Sequence, residues 1–454
     1  MARPFFEKID WIVVLCVVSL AFISLITLHS VSSSGGTRPD VVAKQAGWFL
    51  VGFLLILLVT SIDYHILSAL SYPLYAAVAA SLVAVLAIGD VVQGAQRWIK
   101  VGPVSLQPSE LSKITLILVL AHYFSSKKKE KVYLLDLIFS GFLLSVFVAL
   151  ILKEPDLGTS VLLFPIFVAI VFVAGLDVMP VFRIVLFRPV LILLVVSMVF
   201  AFLYTIQFES YWSISDSALS TLQQRGVPAE VLDRLEGLKA KQYTAEKTFL
   251  GDIQRKIGNE RTATYQTLFL DYSRPRVRLL FVPPMWLWLN LKEYQRDRLI
   301  SFLDPDRDPL GAGYHIIQSQ IAIGSGGFWG KGYMNGTQSQ LKFLPEQFTD
   351  FIFSVFSEEW GFLGSIGLLS IYMTLALRGL AIASKARDKL GRLIAVGVVT
   401  ILLVHTFVNV GVTTGIMPVT GLTLPLMSYG GSSIFSTSIA LGLLLNVSYR
   451  RFDF

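Results

Sequence analysis

Apolar runs long enough to cross a bilayer recur along this chain and constrain its fold more than any other feature. A helix rising about 1.5 Å per residue needs about 20 residues to span the hydrocarbon core. Such runs lie near 11–32, 44–61, 69–90, 110–124, 134–152, 159–176, 183–206, 351–379, 391–413 and 424–447. In lipid each backbone N–H and C=O must be satisfied within the segment, so these runs predict helices. The expected fold is an all-α polytopic membrane protein of about ten transmembrane helices, with one large extracytoplasmic loop segment between helices seven and eight. A hydrophobic content of 54% against 15% charged residues excludes an ordinary soluble domain. The run at 110–124 is the shortest and carries Glu110 and Lys113, so it spans only if its helix continues into the preceding loop.

Orientation follows from the cations. Short cytoplasmic loops keep an excess of Lys and Arg. Here they cluster at 125–131 and 378–392, with Arg450 and Arg451 in agreement. With ten spans, both termini are then expected in the cytoplasm. The net charge of +7 is in part this orientation signal, so it does not argue for nucleic acid as a partner. Cys16 is the single cysteine, which rules out a disulfide within one chain. Residues 1–32 read as a retained first helix, since no small-residue cleavage site follows the apolar run.

Four regions result. Residues 1–206 hold helices one to seven, and 351–454 hold helices eight to ten. Between them, 207–275 is polar and helix-patterned, with Pro228 opening one segment and Ile253 and Ile257 spaced four apart; it reads as an extracytoplasmic helical insert. The outer loop 276–350 starts with an interfacial piece at 279–291, too short to span and carrying a Pro-Pro pair. It then becomes rich in glycine, which permits the close backbone approach that a ligand-contacting loop needs.

Polar residues concentrate around this loop. Asp350 stands at the mouth of a membrane helix, and Glu358 and Glu359 lie inside it, where a charge is costly and usually serves a polar interior or a substrate path. Neighbours on a helix diverge by about 100 degrees, so these two glutamates read as structural rather than as a pair on one substrate. Arg97, Lys113, Arg296, Arg298 and Lys331 supply cations able to hold phosphate oxygens, while Glu110, Asp156 and Asp350 supply carboxylates. Glu110 and Lys113 lie three residues apart on one face of a helix entrance, where pairing lowers the cost of insertion. Other patterns fail. The run ending Gly330-Lys331 lacks the glycine and hydroxyl of a phosphate loop, Asp304, Asp306 and Asp308 lack the calcium-loop glycine and glutamate, and the five histidines show no zinc-protease spacing.

Taken in order, Gly94-Ala-Gln-Arg-Trp98, Gln107-Pro-Ser-Glu-Leu-Ser-Lys113, Glu154-Pro-Asp-Leu-Gly-Thr-Ser160, Asp308-Pro-Leu-Gly-Ala-Gly-Tyr-His315, Gly336-Thr-Gln-Ser-Gln340, Thr349-Asp-Phe-Ile-Phe353 and Leu424-Pro-Leu-Met-Ser-Tyr-Gly-Gly-Ser432 resemble the SEDS family (shape, elongation, division and sporulation). The likeness covers the chain except the insert at 207–275, and it favours the elongation branch over the division branch. It implies a ten-helix peptidoglycan glycosyltransferase of the bacterial cytoplasmic membrane. Such an enzyme joins lipid II into glycan strands at the outer face, with undecaprenyl pyrophosphate leaving. By the same resemblance, Asp350 is the general base on the acceptor hydroxyl in the catalytic loop 276–350, and Arg97, Glu110, Lys113 and Asp156 line the cavity. The implied partners are a class B penicillin-binding protein and other membrane proteins of the elongation complex. A divalent cation is compatible with this chemistry, but no ligand set for a metal is legible. A lipid II flippase is the alternative reading, supported by charges within the spans.

Overall fold

The computed structural model describes residues 9–33, 40–92, 95–101, 104–127, 132–154, 156–176, 298, 302, 313–341, 343–344 and 346–451. Nine of the ten expected spans fall among them; the seventh, 183–206, lies outside, as do the insert at 207–275, the interfacial piece at 279–291 and Arg296. The helices at these runs are α1 (Trp11–Ser33), α2 (Asp40–Ser61), α4 (Ser71–Ile88), α5 (Pro108–Ser125), α6 (Leu134–Lys153), α7 (Leu157–Val173), α10 (Ile352–Ser384), α11 (Lys389–Thr413) and α12 (Gly431–Arg450). Three shorter helices complete the set: α3 (Tyr64–Ala69), α8 (Tyr314–Gly326) and α9 (Thr337–Gln340). Six of these, α1, α2, α6, α10, α11 and α12, are long and apolar enough to cross a membrane.

Local chemistry sets the boundaries. The short fourth span gains its length upstream, because Pro108 occupies the first turn of α5, where its missing N–H costs nothing. The tenth span begins later than its apolar run suggests, at Gly431 rather than 424. Pro425 has no N–H to donate, and the Ser428 hydroxyl accepts from the Leu424 N–H at 2.8 Å, so 424–430 closes on itself as a turn instead of joining the helix. The loop after α4 is not plain coil. It forms a small antiparallel sheet, β1 (Asp90–Val92), β2 (Ala95–Val101) and β3 (Val104–Leu106), with Ile99 opposite Leu106.

The chain divides into two compact units, Met1–Val178 with Gln318–Phe454, and Met179–Ile317. In the first, α11 is central and packs against α5, α7, α10 and α12, while α2 lies along α12. Leu393, Ile394, Val398 and Leu402 of α11 are buried there. Large apolar side chains such as Leu15, Phe22, Leu135 and Phe407 are exposed instead, as expected where a surface faces lipid.

Candidate functional site

Asp350 closes a turn in which the N–H groups of Thr349 and Phe351 donate to the Glu346 carbonyl at 3.1 and 3.3 Å. The backbone of this turn is gripped from one side. Tyr429 N donates to the Phe348 carbonyl at 2.8 Å, Ser428 Oγ to the Thr349 carbonyl at 2.6 Å, and Asn409 Nδ2 to the Asp350 carbonyl at 2.9 Å. Three successive carbonyls are therefore fixed by α11 and the 422–430 loop. The Asp350 residue is half-buried at the start of α10, whose cap is Phe351 with no side-chain capping bond. A helix N-terminus favours a carboxylate at such a place.

Beside α11 runs a buried polar chain. Lys113 Nζ lies 2.7 Å from Glu110 Oε2 and 3.0 Å from His405 Nε2, and Ser436 Oγ donates to the same Glu110 oxygen at 2.6 Å. Lys113 is 1% exposed and Glu110 7%. His405 Nδ1 is 3.1 Å from the Thr423 carbonyl. A neutral ring protonated on Nδ1 satisfies both contacts, donating to Thr423 and accepting the lysine proton on Nε2. Such a pair holds together only if every charge is compensated, which this arrangement achieves.

Asp156 caps α7 and collects four donors: Thr159 N at 3.2 Å, Thr159 Oγ1 at 2.9 Å, Gln107 Nε2 at 3.1 Å and Ser109 Oγ at 3.2 Å. It thereby joins the starts of α5 and α7. Arg97, on β2, donates through Nε to the Glu154 carbonyl at 3.0 Å. Glu154 follows α6 and is fully buried, and neither of its carboxylate oxygens meets a hydrogen-bond partner among the described residues. Burial raises its pKa to about 8, helped by the charge of Asp156 and opposed by Arg97.

The glycine-rich segment has a specific task. Helix α10 breaks at Gly361, with φ 65° and ψ −162°. At the break the carbonyls of Glu358 and Glu359 accept from the N–H groups of Lys331 and Gly332 at 3.0 and 2.9 Å, and the N–H groups of Phe362 and Leu363 reach the carbonyls of Gly327 and Phe328. A Cβ on Gly330 or Gly361 would collide with the facing backbone, so the close approach expected of these glycines is made to α10. The Glu358 carboxylate is taken up by this loop, accepting from Lys331 Nζ at 2.8 Å, Gln338 N at 2.9 Å, Thr337 Oγ1 at 3.1 Å and Ser339 N at 3.2 Å. Ser30 of α1 donates to Glu359. Lys331 thus sits at the loop with its ammonium engaged, while Arg298 belongs to the second unit.

The sequence reading gathered Arg97, Glu110, Lys113 and Asp156, and the structure places Glu110 and Lys113 in contact and Asp156 against the start of the same helix. It passed over His405, Asn409, Ser428 and Ser436. The available signal was His405 and Asn409, two strongly polar side chains four residues apart in the mainly apolar second half of a span. Among the described residues no group of three or more His, Cys, Asp or Glu is arranged to hold a metal ion.

Comparison with known proteins adds a further finding. The model of a family described as "Cell cycle protein", comprising FtsW, RodA and SpoVE, matches residues 7–224 and 264–452. The peptidoglycan glycosyltransferase RodA of Treponema pallidum is 36% identical over 97% of this chain and 98% of its own. The peptidoglycan glycosyltransferase MrdB of Escherichia coli K12 is 32% identical over 99% of this chain and 96% of its own. Among solved structures, a peptidoglycan synthase complex that coordinates polymerization and crosslinking contains a chain with TM-score 0.64 and 29% identity, covering 98% of this chain and 99% of that one. The rod shape determining protein RodA of Thermus thermophilus gives TM-score 0.58 and 25% identity, covering 99% of this chain and 100% of that one.

Proposed function

The chain belongs to the FtsW/RodA/SpoVE family of cell cycle proteins, and from that premise we propose that it is a peptidoglycan glycosyltransferase that polymerises lipid II at the outer face of the bacterial cytoplasmic membrane. It is a multi-pass membrane protein, and both termini face the cytoplasm in this reading. Relatives of the same length that carry that activity in their names support the reaction class. The 4-hydroxyl of the acceptor sugar attacks C1 of the donor, the bond from C1 to the pyrophosphate oxygen breaks, and undecaprenyl pyrophosphate leaves. Asp350 takes the hydroxyl proton.

The observation that carries the assignment is the three-carbonyl grip on 348–350. It fixes the backbone from which one carboxylate projects at a helix mouth, which limits where a reacting group can stand. An ordinary aspartate has a pKa of about 3.9 and is a weak base. Proton removal is therefore late, and cations stabilise the charge developing on the pyrophosphate. Within the first unit, Arg97 and Lys331 are the cations proposed for that task, with Glu110, Lys113 and Asp156 proposed to line the cavity. A class B penicillin-binding protein is the expected partner, in line with the synthase complex among the structural relatives.

Purified protein, alone and with its transpeptidase, supplied with lipid II tests this directly. Glycan polymer is the expected product; movement of lipid II across vesicles without new glycosidic bonds would instead identify a flippase.

A further inference from the structure

One face of α11 links the Asp350 turn to the buried ion pair. His405 and Asn409 stand four residues apart, about one helical turn, and are 3% and 1% exposed. The Asn409 amide donates both hydrogens: to the Asp350 carbonyl at 2.9 Å and to the Leu422 carbonyl at 2.8 Å. The next carbonyl along that loop, Thr423, is the partner of His405 Nδ1 at 3.1 Å, and His405 Nε2 faces Lys113 Nζ at 3.0 Å. Adjacent residues of one loop are therefore held by two side chains of α11. One of these also holds Asp350, and the other holds the Glu110–Lys113 pair.

We propose that Asn409 and His405 are positioning residues for the polymerase reaction: Asn409 fixes the place of Asp350, and His405 ties that place to the Glu110–Lys113 pair. The inference rests on Asp350 being the base. An Asn side chain can give two N–H bonds from one nitrogen, so a single residue spans both carbonyls. Its Oδ1 is buried and meets no partner among the described residues. Asparagine in an apolar span at that cost is expected when its donors matter more than its fit. A reacting group misplaced by about 1 Å loses about a hundredfold in rate, so loosening this grip should appear in turnover rather than in substrate affinity.

The test is steady-state polymerisation of lipid II by the purified full chain, for Asn409→Leu, Asn409→Ala, His405→Gln, His405→Leu and Asp350→Asn. Asn409→Leu, close in size, and Asn409→Ala are expected to lower kcat by about ten- to a hundredfold with KM within about threefold. Glutamine can donate to Thr423 and accept from Lys113, so His405→Gln should keep kcat within about threefold, while His405→Leu falls with the Asn409 variants. Wild-type kcat in Asn409→Leu, a loss seen in KM alone, or equal behaviour of the two His405 variants would overturn the inference. Should the Asn409 variants not fold, the His405 pair decides. Loss of activity in Asp350→Asn beside normal Asn409 variants overturns the positioning role alone; normal activity in Asp350→Asn overturns the base on which it rests.

Discussion

Two aspartates at opposite ends of α10 are used in opposite ways. Asp388, past the far end, spends its carboxylate on structure. Oδ1 accepts from Gly391 N and from the Tyr64 hydroxyl, each at 2.9 Å, and Oδ2 meets His65 Nε2 at 2.8 Å. His65 also reaches Asp63 at 2.8 Å, and Arg450 closes the group 3.4 Å from Asp63. Apart from the buried Tyr64, these side chains are 23–54% exposed, so water shares the load. At the Asp350 end the backbone is fastened instead, and the cap residue Phe351 makes no side-chain capping bond. The supporting ion pair there is almost fully buried, and the carboxylate oxygens lacking a hydrogen-bond partner among the described residues, both of Glu154 and one of Glu359, belong to this end. Saturated, exposed polar groups make a fastening. A buried cluster with unmet acceptors stores a cost that a reacting site can justify.

Removing one partner at each end should separate them sharply. Lys113→Met strands the buried Glu110 carboxylate and should destabilise the protein by about 3–5 kcal/mol, with much of the loss recovered in Glu110→Gln/Lys113→Met. Thermal unfolding in detergent measures both, and an unchanged midpoint for Lys113→Met would erase the contrast between the two ends.

A pH series sharpens it next. Because the folded-state pKa of Glu154 is raised to about 8, its neutral form is the favoured one. The associated stability is complete at pH values below the ordinary carboxyl range and drains away as pH climbs toward 8. Glu154→Gln should therefore match the wild type below about pH 4 and exceed it above pH 8 by on the order of 4 to 5 kcal/mol. No pH dependence in that difference would mean the carboxylate finds compensation when charged.

The smallest effect is expected at the Asp388 end. Burial pulls the His65 pKa down, but hydrogen bonds to Asp63 and Asp388 prevail and hold it above its ordinary value. Its contribution is present below about pH 6.5 and disappears as pH rises through the folded value. His65→Ala should cost about 1 kcal/mol or less at pH 6, and less again at pH 9. A loss as large as that of Lys113→Met would place the main fastening at the wrong end.

Much of this architecture was legible in the residues. Apolar length located nine helices among the described residues, six of them long and apolar enough to cross a membrane, because lipid enforces helix formation wherever water is excluded. It failed at 424–430, where Pro425 and Ser428 rearrange a sequence that is apolar enough to span, and at 90–106, where a short sheet carries Arg97. The same length rule could not resolve the glycine-rich segment, whose close contacts are with α10, because that pairing joins residues about 30 apart and leaves no local period. Within the site, charged residues announced themselves by their cost in a membrane. His405 and Asn409 were quieter, since a single polar residue in a span is common and its meaning depends on which carbonyl it meets. Asn409 meets Asp350 across 59 positions of chain.

The central claim is that Asp350 acts as the base on a fixed turn. Turnover of lipid II into glycan by Asp350→Asn, a change that preserves shape and removes the charge, is its most direct test. A fall in kcat of at least a hundredfold, with lipid II still bound and the fold intact, is the predicted result. Glycan synthesis at the normal rate would contradict it.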